Sequence, residues 1–359
     1  MNDAVPMERI PVSVITGFLG SGKTTLLKHL LPQPAMADTA VVINEFGEVG
    51  LDHLLVETAK DDMVLLSSGC LCCTIRGDLV DTMRRLFFRR RAGEIPPFKR
   101  VVIETTGLAD PAPVLHTLMR DPLVSECYRL DGVIATVDAV NGMGQLDRQM
   151  ESVKQAAVAD RLLLTKADLA DPAAIDALKR RLHVLNPAAP IFTVEHGAID
   201  AAKLLNAGLY NPETKSLDVR RWLNAEAYDD HGEGHGHDHH HGHHHGQDPH
   251  DVNRHDARIS AFAIDWDRAL DWAVFIDWIE MLIAGHGENL LRIKGILNVA
   301  GEDAPVAIHG VQHLFHPPVM LQAWPDRDRH SRIVFITRDI PRETLLASFR
   351  SFFADAKTA

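Results

Sequence analysis

One segment, Gly17-Phe18-Leu19-Gly20-Ser21-Gly22-Lys23-Thr24, restricts the folds open to this chain more than any other. It has the spacing G-x-x-x-x-G-K-T and lies between an apolar strand-like run, Val12–Ile15, and a helix-like run, Thr25–Leu31. A glycine loop between a strand and a helix is the phosphate-binding unit of α/β sheets. The glycines let backbone N–H groups turn inward around the β- and γ-phosphates, Lys23 adds a point charge, and the Thr24 hydroxyl can ligate Mg²⁺ at the positive end of the helix. The set read from this loop is Gly17, Gly20, Ser21, Gly22, Lys23, Thr24 and Thr25, and it implies a bound nucleotide.

The rest of the first 205 residues agrees with such a sheet, because short β-type runs alternate with helical patterns. The predicted strands are Val12–Ile15, Ala40–Asn44, Met63–Leu66, Val101–Glu104, Gly132–Val137, Arg161–Leu164 and Ile191–Val194. Ligands of open α/β sheets lie at the carboxyl ends of the strands, where Gly17, Glu45, Glu104 and Thr165 fall. Beyond Arg258 the pattern changes to strands at Ile259–Ile264, Leu291–Val299, Val306–Leu314 and Arg332–Thr337, with a helix whose apolar stripe includes Trp272, Phe275, Ile276, Ile279, Leu282 and Ile283 and a closing helix near Glu343–Phe353. The expected fold class is α/β, a doubly wound sheet followed by a smaller α+β domain, and 359 residues suit two domains better than one. The expected divisions are 1–210, a linker 211–258, and 259–359.

Two further motifs sharpen the ligand. Thr165-Lys166-Ala167-Asp168 is a variant of the guanine-reading N-K-x-D tetrad. A carboxylate at the fourth position accepts hydrogen bonds from both N1–H and the 2-amino group of guanine, a donor pair adenine lacks, which favours GTP over ATP. Val101–Gly107 then ends in Glu104-Thr105-Thr106-Gly107, placing Glu104 to hold Mg²⁺ through water and the Gly107 N–H to sense the γ-phosphate. Leu108 occupies the place where small GTPases orient the attacking water with glutamine, so unassisted hydrolysis is expected to be slow.

Three of the four cysteines, Cys70, Cys72 and Cys73, fall within four residues. Thiolates suit zinc and other late transition metals, and three in a loop approach a tetrahedral set that needs one more ligand. Glu45, or a water, is the candidate; a ligand pair with one buried thiol, or a redox pair, stays open. Cys127 stands apart as packing. Eleven of the 21 histidines lie between His231 and His255 among glycines and acids, a composition that buries no core and offers many weak sites for zinc, nickel, cobalt or copper. A net charge of −12 argues against nucleic acid or an anionic membrane as partner. The short apolar run before Gly17 does not read as a signal peptide, and thiols without an export signal suggest the cytoplasm.

Taken together, GFLGSGKTTLL from Gly17, NEFGEVG from Asn44, GCLCC from Gly69, ETTGLADP from Glu104 and TKAD from Thr165 resemble the CobW-like metal-handling P-loop GTPases, related to UreG and HypB. LDGVIATVDAV from Leu130, LLRIKG from Leu290 and HGVQ from His309 resemble its YjiA-type branch. The resemblance implies a GTPase domain, a CobW-type C-terminal domain, GTP/GDP and Mg²⁺ at Lys23, Thr24 and Glu104, base reading by Asp168, and zinc at Cys70, Cys72 and Cys73 with Glu45. It further implies delivery to a metal-requiring client. Cobalt for cobalamin synthesis, nickel, a nucleotide-regulated His-rich zinc buffer, and a nucleotide- or metal-dependent homo-oligomer stay open.

Overall fold

The structure, a computed structural model, describes residues 9–44, 56–60, 63–66, 71–74, 78–208, 210–211, 216–217, 223–224, 228, 258–324 and 328–354. The first domain carries β1 (Ile10–Gly17), α1 (Lys23–Leu30), β2 (Thr39–Asn44), β3 (Val56–Lys60), β4 (Met63–Leu66), β5 (Leu71–Thr74), α2 (Leu79–Arg91), β6 (Arg100–Thr105), α3 (Ala112–Arg120), α4 (Pro122–Cys127), β7 (Tyr128–Asp138), α5 (Gly142–Arg148), α6 (Met150–Ala157), β8 (Arg161–Thr165), α7 (Pro172–Leu185) and β9 (Ile191–Thr193). A nine-stranded sheet runs in the order β3-β4-β5-β2-β6-β1-β7-β8-β9. From β5 to β9 every pairing is parallel, with helical crossovers between strands, so β1, β6 and β7 are covered on both faces and are almost wholly buried.

The edge departs from the expectation. The sequence predicts a loop over Ser68–Thr74 with Cys70, Cys72 and Cys73; the backbone of its described part, Leu71–Thr74, is a strand, parallel to β2 and antiparallel to β4, and β3 and β4 add an antiparallel hairpin. Pairing with β2, some 30 residues earlier in the chain, is a non-local contact that no local pattern reports.

After a short pairing of β10 (Tyr210–Asn211) with β11 (Ser216–Leu217) comes a second sheet. It contains β12 (Ile259–Trp266), β13 (Leu290–Leu297), β14 (Val306–Val311), β15 (Leu314–Phe315), β16 (Val319–Met320) and β17 (Ser331–Arg338), all antiparallel, with α8 (Trp272–His286) and α9 (Arg342–Ala354). The predicted strand Val306–Leu314 is broken at Gln312, whose φ of 54° turns the chain into a tight hairpin between β14 and β15. The apolar stripe of α8 is core, as expected, with Trp278 fully buried at its centre.

All of β13 is buried although it reads Leu-Leu-Arg-Ile-Lys-Gly-Ile-Leu. Its alternation explains this. Ile293 and Leu297 pack with α8 and α9, while Arg292 and Lys294 face the first domain and share Asp160 at 2.5 and 2.9 Å. Burial alone would raise the Asp160 carboxyl, but the two cations and the bond from Lys294 hold it far below its usual range. Lys294 is pushed down to about 8 by burial and by Arg292. One sheet thus has its own helices on one face and helices α6 and α7 of the first domain on the other.

Candidate functional site

The phosphate loop is set by backbone that favours glycine. Gly17, Gly20 and Gly22 have φ of 143°, 74° and 90°. A Cβ on Gly17 would lie 2.2 Å from the Thr136 hydroxyl and 2.4 Å from the Thr136 carbonyl, so β1 and β7 approach too closely for any other residue. Gly22 caps α1, whose first turn holds no acidic residue and leaves the positive helix end for an anion.

Lys23 is 7% exposed and donates to the carbonyls of Gly17 at 2.9 Å and Phe18 at 3.3 Å. These contacts hold the ammonium group over the loop. The Thr24 hydroxyl donates to Glu104 Oε1 at 2.8 Å, and Glu104 is 2% exposed at the carboxyl end of β6. A hydroxyl and a carboxylate oxygen so placed are the hard donors that Mg²⁺ takes beside phosphate, so the residues fit that ion. Thr25 is exposed, and Ser21 is buried with its hydroxyl 2.6 Å from that of Thr136.

Gly107 closes on the same loop. A Cβ there would meet the Leu19 backbone at 2.5 Å, so the segment after β6 lies flat on the phosphate loop. Gln155 of α6 donates to the Ala109 carbonyl at 3.1 Å, and the Asp110 carboxylate accepts from Lys154 at 2.7 Å and from Gln312 of the β14–β15 hairpin at 3.1 Å. Burial would raise Asp110, yet the bonds from Lys154, the Ala112 N–H and Gln312 lower it overall. Leu108 is 63% exposed beside this loop.

At the other end of the crevice, Thr165 does more than the tetrad reading gave it. Its hydroxyl donates to the Ser21 carbonyl at 2.7 Å, which ties the base-side strand to the phosphate loop. Lys166 has a left-handed backbone, φ 56°, and its ammonium meets the buried Asp138 at 2.7 Å. Asp168 lies 3.8 Å from the exposed His196. Asp138, Gln312 and Thr136 were missed as site residues; all three lie inside the motifs that carry the family resemblance, but their partners are far off in sequence.

The structure brings Gly17 to Thr25, Glu104, Gly107, Thr165, Lys166 and Asp168 to one edge of the sheet. Glu45 and Cys70 lie outside the described residues, as does the His-rich segment, and Cys72 and Cys73 are placed in β5 by backbone register alone. Among the described residues no three His, Cys, Asp or Glu side chains converge as a metal site. Cys127 is buried in the core, where burial raises its thiol. No helix among the described residues is long and apolar enough to cross a membrane.

With this geometry, residues 11–193 match the family described as CobW/HypB/UreG, nucleotide-binding domain, and residues 259–353 match the cobalamin synthesis protein cobW C-terminal domain. The chain belongs to the CobW family. It is 34% identical to the zinc chaperone YjiA of Escherichia coli K12 over 96% of this chain and 98% of that one. It is 28% identical to the zinc-regulated GTPase metalloprotein activator 1 of Schizosaccharomyces pombe, over 94% and 84%. The crystal structure of Zn(II)-bound YjiA GTPase from E. coli superposes with a TM-score of 0.71 at 33% identity, covering 96% of this chain and 99% of that one. The CobW fold expected from the motifs is therefore the fold found.

Proposed function

We propose that this chain, a P-loop GTPase of the CobW family, is a metallochaperone that binds zinc at Cys70, Cys72 and Cys73 with Glu45 and passes it to a metal-requiring client under control of GTP. The observation that carries the reading is the hydrogen bond from the half-buried Thr24 hydroxyl to the buried Glu104, 2.8 Å long, beside Lys23 at the end of β1 and β6. Thr24 and Glu104 would hold Mg²⁺, which neutralises charge on the phosphates, while Lys23 clamps the β- and γ-oxygens. Thr165, Lys166 and Asp168 read guanine. The zinc-handling names of the relatives support zinc as cargo, with cobalt and nickel the other ions the thiolates suit.

Asn44, the residue before Glu45 in the sequence, ends β2 directly beside Thr105 of β6, one residue past Glu104. That placement supports a nucleotide-dependent contribution of Glu45 to the metal site. In this reading 1–210 is the GTPase domain, 211–258 a metal-gathering linker and 259–359 the CobW-type domain, in a cytoplasmic protein whose homo-oligomeric state follows nucleotide or metal.

The deciding measurement is a zinc titration against a chelator with no nucleotide, GDP and a non-hydrolysable GTP analogue. A tight site lost in Cys72→Ser and strengthened by the analogue supports the chaperone. Affinity independent of nucleotide, and lost on deleting 225–256, supports a His-rich buffer and overturns it.

A further inference from the structure

The hairpin between β14 and β15 meets the first domain at its tip. Val311 packs in the core of that domain, Gln312 bonds Asp110, and the ring of His313 lies 4.6 Å from the ring of His116 on α3, at an interplanar angle of 76°. These contacts fix the backbone on both sides of the histidine pair. His116 hydrogen bonds the Val311 backbone, while its buried Nε2 has no hydrogen-bond partner among the described residues.

A buried ring nitrogen without a donor is a cost unless something takes its lone pair. Metal-ligating histidines have this arrangement, with one nitrogen held by a backbone carbonyl or carboxylate and the other left for the ion. Burial and the neighbouring His313 lower the basicity of His116, which keeps it neutral and competent as a ligand near pH 7. A zinc–imidazole bond is about 2.0–2.1 Å, so two rings sharing an ion have centroids roughly 5 Å apart. The observed centroid separation of 4.6 Å is close to that. His313 is exposed, so an ion and its waters can reach the pair from solvent.

We propose that His116 and His313 form a two-imidazole clip for a late divalent metal ion, foremost zinc, at the junction of the two domains. Its residues are distinct in sequence from the thiolate segment and the His-rich linker. Because α3 directly follows the Glu104–Asp110 segment, an ion in the clip ties the nucleotide-facing side of the first domain to the second domain. Two protein ligands with water in the other positions make it an exchangeable site.

The test uses the full-length protein, so that thiolates and linker histidines are present in every sample and cancel. At a chelator-buffered free zinc concentration that saturates the clip, bound zinc per chain is counted for the native protein, His116→Gln, His313→Gln and the double variant. Each single substitution is expected to remove one zinc per chain, and the double variant to remove no more than either. Unchanged counts overturn the clip, and additive losses overturn it in favour of independent imidazoles. His313→Gln sits on an exposed tip and carries the test alone if His116→Gln melts early without metal. Anomalous diffraction at the zinc edge from zinc-soaked crystals should place an ion between the two rings; ions found only elsewhere overturn the proposal.

Discussion

The two ends of the nucleotide crevice are built differently. At the phosphate end Lys23 and Glu104 are nearly inaccessible and already engaged, and Gly17 and Gly22, both with positive φ, fit the loop against Thr136 and Thr165. At the base end Thr165 is buried but the groups beyond it are more open, with Lys166 38%, Asp168 25% and His196 79% exposed, and Lys166 and His196 are each held by one carboxylate. Preorganised groups contribute most where charge changes during reaction, because they cost no reorganisation at that moment. In the proposed function, the open end discriminates between bases. Turnover should therefore depend on the buried end, and choice of nucleotide on the exposed one.

The sharpest way to break this division is Lys23→Ala. Removing a buried clamp on the transferring phosphoryl group should lower single-turnover GTP hydrolysis about 10³-fold, or about 4 kcal/mol. Comparable single-turnover rates in the variant and the native protein would show that the phosphate end does not carry the chemistry. Next is Gly17→Ala, in which overlap with Thr136 adds to a φ that alanine rarely adopts. A loss of about 3 kcal/mol in urea unfolding is expected.

Asp168→Ala tests the other end. Two hydrogen bonds to a charged acceptor are removed from guanine alone, so GTP should weaken roughly 30-fold, or about 2 kcal/mol, while ATP affinity holds. Calorimetry with both nucleotides checks it; equal losses for the two would remove base reading from Asp168.

Much of the crevice is legible in the sequence because it is local. Gly17 to Thr24 and Thr165 to Asp168 are continuous motifs with strand and helix flanks, and the apolar runs of β1, β6, β7 and β8 follow from burial on both faces. What links these pieces is not local. Gln312 reaches Asp110 across 202 residues and Arg292 reaches Asp160 across 132, so each reads alone as a surface polar group. The strand at Leu71–Thr74 is hidden for a related reason: cysteines in a row suggest ligands, and only the distant β2 reveals the pairing.

A smaller effect belongs to Asp138, which supports Lys166. Burial would raise its carboxyl, but bonds from Lys166, from Asn141 and from the Val140 N–H lower it below the usual value. A carboxyl lowered in the folded state stabilises the protein above the unfolded value near 4, and that contribution is lost as pH falls through the folded value. Asp138→Asn should therefore cost about 1.5 kcal/mol at pH 7 and at pH 5, with the gap to the native protein closing only below about pH 4. Urea unfolding at the three pH values reads it directly. A gap already closing between pH 7 and 5 would mean that the carboxyl is not held down by Lys166.

The smallest expected effect, Gly20→Ala, separates conformation from contact at the phosphate end. Gly20 has φ 74°, as unfavourable for alanine as a left-handed turn, but a Cβ there has no heavy atom within 4 Å. The left-handed conformation costs an L residue about 1–2 kcal/mol, and the stiffer unfolded chain returns about 0.4–1 kcal/mol. The net loss in unfolding free energy should be about 1 kcal/mol or less, well short of that at Gly17. The difference between the two variants then measures how much of the loop's stability comes from its close fit against β7. If Gly20→Ala is as damaging as Gly17→Ala, backbone conformation alone holds the loop, and the buried end differs from the exposed one in exposure without differing in how it is built.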